Sequence, residues 1–270
     1  MATYDIRPLQ LKILEILLAL DKVCKEHNLR YFIMAGTMLG AVRHKGFIPW
    51  DDDSDVGMPR ADYDLLIANA KQWLPEQYQF ICAENDSSYP LPFAKIQDAN
   101  TTLIERIGLK YVGGIFLDVF PLDGVPNRKI SQKIHFARYQ FYRKALYFVC
   151  RDPYKHGKGI RSWIPLLFRK FFTPKNVQQS IRNILTKYDF DKSTFVADYD
   201  DGINGIMNKK IVGTPTPVLF EGKEVFGIEN SDVYLRQKYG NYMEIPKQAK
   251  QRQHNFYLLD INKPYKEYEK

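Results

Sequence analysis

The sequence predicts a mixed α/β fold, and three features support this class. Apolar residues recur at helical spacing over residues 9–27. Short apolar segments such as 31–34 and 115–120 have the length and composition of buried strands, and they alternate with helical patterns. No Gly/Ser/Pro-rich linker divides the chain. We therefore expect one domain over residues 1–270, with a helical, basic subdomain at about residues 127–192.

In the first half of the chain, the predicted helices and strands can be assigned in sequence. After the strand at 31–34, Thr37 is predicted to cap a helix that runs from Met38 to His44. A strand is expected next, in which Asp53, Asp55 and residue 57 share one face because strand side chains alternate. Another helix should then begin at Pro59-Arg60 and reach Ala70.

Strand-like segments dominate the middle of the chain and return near its end. We expect Pro121 and Pro126 to close the strand at 115–120, since proline cannot donate to a sheet. Further strands are predicted at 79–83, 94–97, 101–105 and within 218–226, and a last helix at 231–239 that Gly240 ends.

Bulk composition excludes several classes of protein. Hydrophobic residues make up 45% of the 270 positions, which is ample for a packed core, and no low-complexity tract occurs. Neither a signal peptide nor a transmembrane segment is recognisable. Cys24, Cys82 and Cys150 are too scattered for a disulfide or zinc framework. These features predict a cytoplasmic protein.

The positive charge of the chain is regional. The net charge is +8, but residues 128–192 hold sixteen Lys/Arg and three Asp, a balance of +13 against −5 elsewhere. Within this region, residues 157–175 combine Trp163, Leu167 and Phe171 with basic neighbours. Such a segment is typical of a helix in a membrane interface, and equally of a core helix with solvated lysines. The surrounding charge favours an anionic partner, so we expect peripheral contact with the inner face of the cell membrane.

Four aspartates crowd a five-residue stretch, Asp51, Asp52, Asp53 and Asp55. Close carboxylates repel one another, so the cluster must either stay solvated or bind a divalent cation. On a strand, Asp53 and Asp55 would lie about 7 Å apart on one face. Because carboxylate oxygens are the ligands that magnesium prefers, we predict a Mg²⁺ or Mn²⁺ site here.

Two further features fit phosphoryl transfer. Asp118 lies inside an apolar strand, where an unpaired charge is costly, so it needs a metal or a structural partner. Gly36-Thr37 opens a helix whose free N–H groups can bind an anion, although such a pair is also an ordinary cap. An anion-binding helix start beside carboxylates that hold magnesium is what metal-dependent phosphoryl transfer requires.

These residues resemble a known family. The segment 36–55, with the motif from Asp118 to Gly124 and the closing segment from Tyr239 to His254, is similar to the LicD family of phosphorylcholine transferases, whose relatives include fukutin and fukutin-related protein. The resemblance implies a nucleotidyltransferase-like mixed sheet with flanking helices. It also implies metal ligation by Asp53, Asp55 and Asp118, with Asp51 as a further acid.

The same resemblance implies the reaction. CDP-choline, or a similar CDP-alcohol, would donate an alcohol phosphate to a sugar hydroxyl of a lipid-linked glycan, a teichoic acid precursor or lipopolysaccharide, and CMP would leave. Asp51 or Asp55 would accept the proton. Gly36 and Thr37 match the phosphate-binding turn. The candidates to neutralise donor phosphates are Arg43, Lys95, Arg252 and His254. The cysteine-based zinc site of fukutin-related protein cannot form from three scattered cysteines.

Two alternatives remain open at this stage. The same carboxylates could serve a nucleotidyltransferase that releases pyrophosphate. A basic protein that binds nucleic acid or another anionic polymer would explain the calculated pI of about 9.1. Four clustered aspartates would repel a phosphate backbone, and no nucleic-acid motif is recognisable, so no nucleic-acid partner is expected.

Overall fold

The computed structural model describes residues 5–106, 111–154, 157–251, 253–254 and 256–268. Their helices and strands confirm the predicted mixed α/β class. The helices are α1 (Ile6–Glu26), α2 (Ala35–His44), α3 (Arg60–Trp73), α4 (Lys129–Cys150), α5 (Ile160–Phe171), α6 (Pro174–Leu185), α7 (Lys209–Val212) and α8 (Ser231–Tyr239). The strands are β1 (Phe32–Ile33), β2 (Asp55–Pro59), β3 (Tyr78–Ile81), β4 (Ala94–Asp98), β5 (Thr102–Ile104), β6 (Phe116–Val125), β7 (Phe195–Asp198), β8 (Ile206–Asn208), β9 (Thr216–Phe220), β10 (Lys223–Gly227) and β11 (Leu258–Asp260).

A mixed sheet organises the molecule. Its strands follow the order β3-β4-β6-β2-β1-β10-β9, and β7 and β8 extend it from the second half of β6. The pairs β2–β6 and β1–β10 are parallel, and the other pairs in this sheet are antiparallel. Strands β5 and β11 form a separate antiparallel pair. The central position of β6 brings side chains from β2, β4 and β7 beside its own.

Strand β6 is longer than predicted, and the expectation that Pro121 ends it is wrong. The strand continues to Val125, and all ten residues are buried. Strand β4 pairs with β6 only up to Val119, whereas β7 pairs with it only from Leu122 onward. Pro121 therefore lies in the gap between two neighbouring strands, where a missing N–H donor breaks no ladder bond.

Helix α1 follows the predicted pattern closely. Its apolar stripe, which includes Leu9, Ile13, Leu17 and Leu20, is fully buried against the sheet. Asp5 caps the helix by accepting a hydrogen bond from the Arg7 N–H at 3.1 Å. Burial of such a stripe, rather than helix propensity, supplies most of the stability of a helix.

Helices α4 to α6 occupy most of the predicted basic subdomain. Their inward side chains form an apolar cluster of their own, which includes Phe136, Leu146 and Ile181 and joins the sheet at Val125 and Ala197. The remaining core packs around the rest of the sheet. The division into one domain with a subdomain at about 127–192 stays a prediction. Among the described residues, no helix combines the length and hydrophobicity needed to cross a bilayer.

Candidate active site

Three charged side chains lie side by side on one face of the sheet. Asp55 on β2 pairs in parallel register with Asp118 on β6, and Lys95 on β4 lies opposite Asp118 from the other side. Adjacent strands are separated by less than 5 Å, so this register forces the three groups together. All three line a cleft of about 550 Å³. The row places two carboxylates and one ammonium group on the floor of this cleft.

Asp51 and Asp53 reach the same cleft from a loop, not from a strand. The expectation that Asp53 shares a strand with Asp55 is wrong, because β2 begins only at Asp55. The Asp51 N–H donates to Ile48 O at 2.9 Å, and Gln10 on α1 donates to Asp51 O at 2.9 Å. The first bond closes a turn at residues 48–51, and residues 51–54 follow as a loop before β2. The apolar residues that flank the segment therefore did not indicate a continuous strand.

Asp52 leaves its neighbours and binds His254. Asp52 is 2% exposed; one carboxylate oxygen accepts the backbone N–H of His254 at 2.7 Å, and the other lies 2.7 Å from His254 Nδ1. The hydrogen bond to Asp52 raises the pKa of His254 to about 9, despite partial burial. The nearest Asp53 oxygen is 3.7 Å from the same ring nitrogen. The four aspartates therefore divide into one anchor for the closing segment and three groups that face the cleft.

The start of helix α2 borders these carboxylates. The prediction that Thr37 caps the helix is wrong, since the helix begins at Ala35 and Met34 is its N-cap residue. Thr37 is buried instead; its hydroxyl accepts the Asp55 N–H at 2.8 Å and lies 3.0 Å from Ser54 Oγ. Thr37 thus fastens α2 to the start of β2. Because the Thr37 hydroxyl is occupied, a phosphate at the start of α2 would be bound by backbone N–H groups.

Burial and mutual repulsion make the cleft carboxylates hard to ionise. Loss of solvation raises the pKa of Asp118 to about 7, although Lys95 opposes the shift. Burial, and then the neighbouring Asp53, raise the pKa of Asp51 to about 8. The pKa of Asp55 is raised well above its ordinary value by burial and by Asp53 and Asp118. A bound cation would stabilise the ionised form of these carboxylates, because it offsets their negative charge.

The donor set fits a hard divalent cation. Asp118 is buried at the floor of the cleft. Lys95 Nζ lies 3.1 Å from Asp118 Oδ1 as an ion partner and 3.0 Å from Glu105 Oε2. Asp51, Asp53 and Asp55 add only carboxylate oxygens, which suit Mg²⁺ or Mn²⁺. Ligand atoms of Asp52, Asp53 and His254 also lie within 4.8 Å of one another, but a cation there would displace the bonds between Asp52 and His254.

Comparison with known proteins agrees with this geometry. Residues 28–149 match a family model described as "LicD/FKTN/FKRP, nucleotidyltransferase domain". A "Lipopolysaccharide cholinephosphotransferase LicD" from Haemophilus influenzae is 29% identical over 263 residues, which cover 94% of this chain and 97% of that protein. The chain is therefore similar to the LicD family, both within this domain and over nearly its whole length. Uncharacterised proteins from Rickettsia prowazekii and Rickettsia typhi share a 37-residue segment at 54% identity, which is 14% of this chain.

The residues carried over from the LicD resemblance do not all reach the cleft. Arg43 is bound elsewhere; its guanidinium donates to the carbonyl groups of Tyr242 at 2.7 Å and Glu244 at 3.3 Å. Arg252 lies outside the described residues. The predicted residues that do line the cleft are Gly36, Asp51, Asp53, Asp55, Lys95, Asp118 and His254. The catalytic, metal-binding and substrate-binding roles of these residues stay predictions.

Sequence reasoning missed a second group of acids that lines the same cleft. Asp198 lies buried at the end of β7 and accepts the Asp200 N–H at 3.0 Å. Asp200 pairs with Arg143 at 2.8 Å, and Asp201 pairs with Lys238. The Asp-x-Asp spacing at 198–200 repeats the spacing at 53–55 and was the available signal. Two of these three acids are therefore paired with cations.

Gly36→Ala should weaken cation binding without weakening the fold. A Cβ atom at this position would lie 2.7 Å from Asp51 Oδ2, so the carboxylate must move. We expect Mn²⁺ affinity to fall about tenfold or more, since disturbing the groups that orient metal ligands typically costs about 10- to 100-fold in affinity. The melting temperature should hold or rise, because alanine favours helix. Calorimetric Mn²⁺ titration and thermal melting measure the two effects.

Gly159→Ala is the matched control for this substitution, because a Cβ atom there meets nothing within 4 Å. It should leave the Mn²⁺ affinity unchanged and lower the melting temperature only slightly, because Gly159 is the N-cap residue of α5 and alanine is a poorer cap. Wild-type Mn²⁺ affinity in Gly36→Ala would show that Asp51 does not contribute to a metal site.

Proposed function

We propose that this chain is a metal-dependent phosphotransferase that moves phosphocholine from CDP-choline to a sugar hydroxyl of a lipopolysaccharide-type glycan, with release of CMP. The observation that carries the proposal is the convergence of Asp51, Asp53, Asp55 and Asp118 beside the start of α2 in one cleft. A relative named as a lipopolysaccharide cholinephosphotransferase, similar over 94% of this chain, supports the same chemistry.

The residues of the cleft divide the work of such a transfer. Asp53, Asp55 and Asp118, with Asp51 beside them, would hold Mg²⁺, which offsets charge on the donor pyrophosphate. Backbone N–H groups at Gly36 and Thr37 bind donor phosphate oxygens. The sugar oxygen forms a bond to the phosphorus that carries choline, and the bond between that phosphorus and the bridging oxygen breaks. The electron pair leaves with CMP.

Asp51 is the better placed of the two proposed proton acceptors. Asp55 is held in the ladder between Met34 and Asp118, where its carbonyl accepts the Met34 N–H at 2.9 Å. Asp51 lies in the loop beside Gly36, at the edge of the row formed by the strands. We assign to Asp51 the proton of the attacking hydroxyl, which it then releases to solvent.

Aromatic rings in the cleft support a choline-bearing donor. Phe93 and Phe120 lie 4.4 Å apart between ring centroids, and Tyr239 and Phe256 line the same cleft. Phe116 also lines the cleft, and its ring already makes a cation–π contact with the Lys95 ammonium group, 2.9 Å from the ring centroid. Quaternary ammonium groups bind to aromatic faces of this kind. We therefore place the trimethylammonium group against Phe93 and Phe120.

Product analysis with a donor panel tests the proposal. The protein, with Mg²⁺ and an acceptor glycolipid, should release CMP from CDP-choline, more slowly from CDP-ethanolamine, and not at all with excess EDTA. Lipopolysaccharide and teichoic acid precursors should be compared as acceptors. Absence of CMP with every donor and acceptor would refute phosphocholine transfer.

Nucleotidyl transfer is the second candidate, because the matched family model describes a nucleotidyltransferase domain. It would release pyrophosphate from a nucleoside triphosphate instead. We expect no pyrophosphate from CTP or ATP in the same assay.

A further inference from the structure

Helix α5 exposes its apolar side to solvent. Trp163, Leu167 and Phe171 follow one another at four-residue spacing and are 74%, 57% and 68% exposed. Ile164 and Leu166 flank this line and are 47% and 41% exposed. A helix on the surface of a globular protein normally places polar residues at such positions. We name these five residues the α5 face.

The orientation of the helix is held by its other side. Ser162 and Pro165 are buried, and the Phe168 ring lies 5.0 Å from Phe148 on α4. The Arg169 guanidinium donates to Val149 O at 3.1 Å and to Arg151 O at 2.8 Å. The helix therefore cannot turn the α5 face inward without breaking these contacts.

The surroundings of the α5 face are almost purely basic. Between residues 128 and 185, Asp152 is the only acidic residue in the sequence. Exposed Lys158, Lys170 and Lys175 accompany the α5 face along the helix and beyond both of its ends. Lys170 falls at the edge of the apolar line itself, where a long side chain can keep its ammonium group at a polar boundary.

We propose that the α5 face inserts into the interface of an anionic lipid bilayer, with the flanking lysines on lipid phosphates. Large apolar and aromatic side chains flanked by lysines match the boundary between headgroups and acyl chains. A second copy of the chain is a poorer partner, since self-association would bring two surfaces of like charge together. The proposal does not depend on the reaction in the cleft.

Co-sedimentation with lipid vesicles tests this inference. The wild-type protein should sediment with vesicles of mixed phosphatidylglycerol and phosphatidylcholine, and markedly less with phosphatidylcholine alone. Trp163→Glu with Phe171→Glu should abolish sedimentation. Lys170→Gln and Lys175→Gln should each lower partitioning about fivefold, the contribution of one basic residue near an anionic surface.

Leu219→Glu provides the matched control, because Leu219 is 59% exposed on β9, outside the α5 face. It should sediment as the wild type does, and circular dichroism should confirm that every variant is folded. Equal binding to both vesicle types, or none to either, would overturn the proposal. So would concentration-dependent dimerisation that Trp163→Glu with Phe171→Glu removes, since the α5 face would then be an interface between copies.

Discussion

Asp118→Asn is expected to lower phosphocholine transfer at least about 100-fold while the protein stays folded. The substitution removes the charge of a buried carboxylate that lies beside Asp55 in the cleft. Loss of a ligand that positions a metal costs several kcal/mol of transition-state stabilisation, and each 1.4 kcal/mol is about a factor of ten in rate. Lys95 keeps Glu105 as an ion partner at 3.0 Å, so no unpaired buried charge remains. Rates of CMP release and Mn²⁺ affinity measure the effect.

Asp53→Asn should show the same loss, because Asp53 faces the same cleft from the loop before β2. Asp201→Asn is the control, since Asp201 also lines the cleft but is paired with Lys238. It should retain most of the wild-type rate. If Asp53→Asn or Asp118→Asn turned over near the wild-type rate, the catalytic assignment of that residue would be incorrect.

Asp123→Ala is expected to destabilise the protein by about 3–5 kcal/mol, a large share of the stability of a typical domain. Asp123 on β6 is fully buried and accepts two hydrogen bonds from the Arg60 guanidinium, at 2.9 and 2.6 Å. Arg60 is the first residue of α3, so this pair fastens that helix to the central strand. Removing the carboxylate would leave a buried guanidinium without its main partner. Urea unfolding measures the free-energy change.

Two controls separate the buried pair from charge effects in general. Glu26→Ala removes an exposed partner of Lys22 at 3.8 Å and should change stability by less than about 0.5 kcal/mol. The double substitution Arg60→Met with Asp123→Leu should recover much of the loss, because apolar residues can replace a buried ion pair. A destabilisation below about 1 kcal/mol in Asp123→Ala would contradict the role given to this pair.

Local pattern was enough to predict much of the fold. The apolar spacing over residues 9–27 predicted helix α1, which spans Ile6–Glu26 and begins three residues earlier than the apolar pattern does. Gly240, which has a φ of 66°, ends α8 as expected of a residue that tolerates left-handed backbone. The crowded aspartates at 51–55 also indicated a functional site, because the repulsion among their carboxylates follows from their spacing in the sequence alone.

Contacts between distant segments were decided by the tertiary structure. Asp52 and His254 are 202 residues apart, and their bond separates Asp52 from the cleft carboxylates. Pro121 is tolerated inside β6 because two different strands meet beside it. Whether Trp163 faced the core or the solvent depended on how α5 packs on α4. Sequence periodicity records how side chains alternate along one segment, whereas the partner of each face is set only when remote segments pack together.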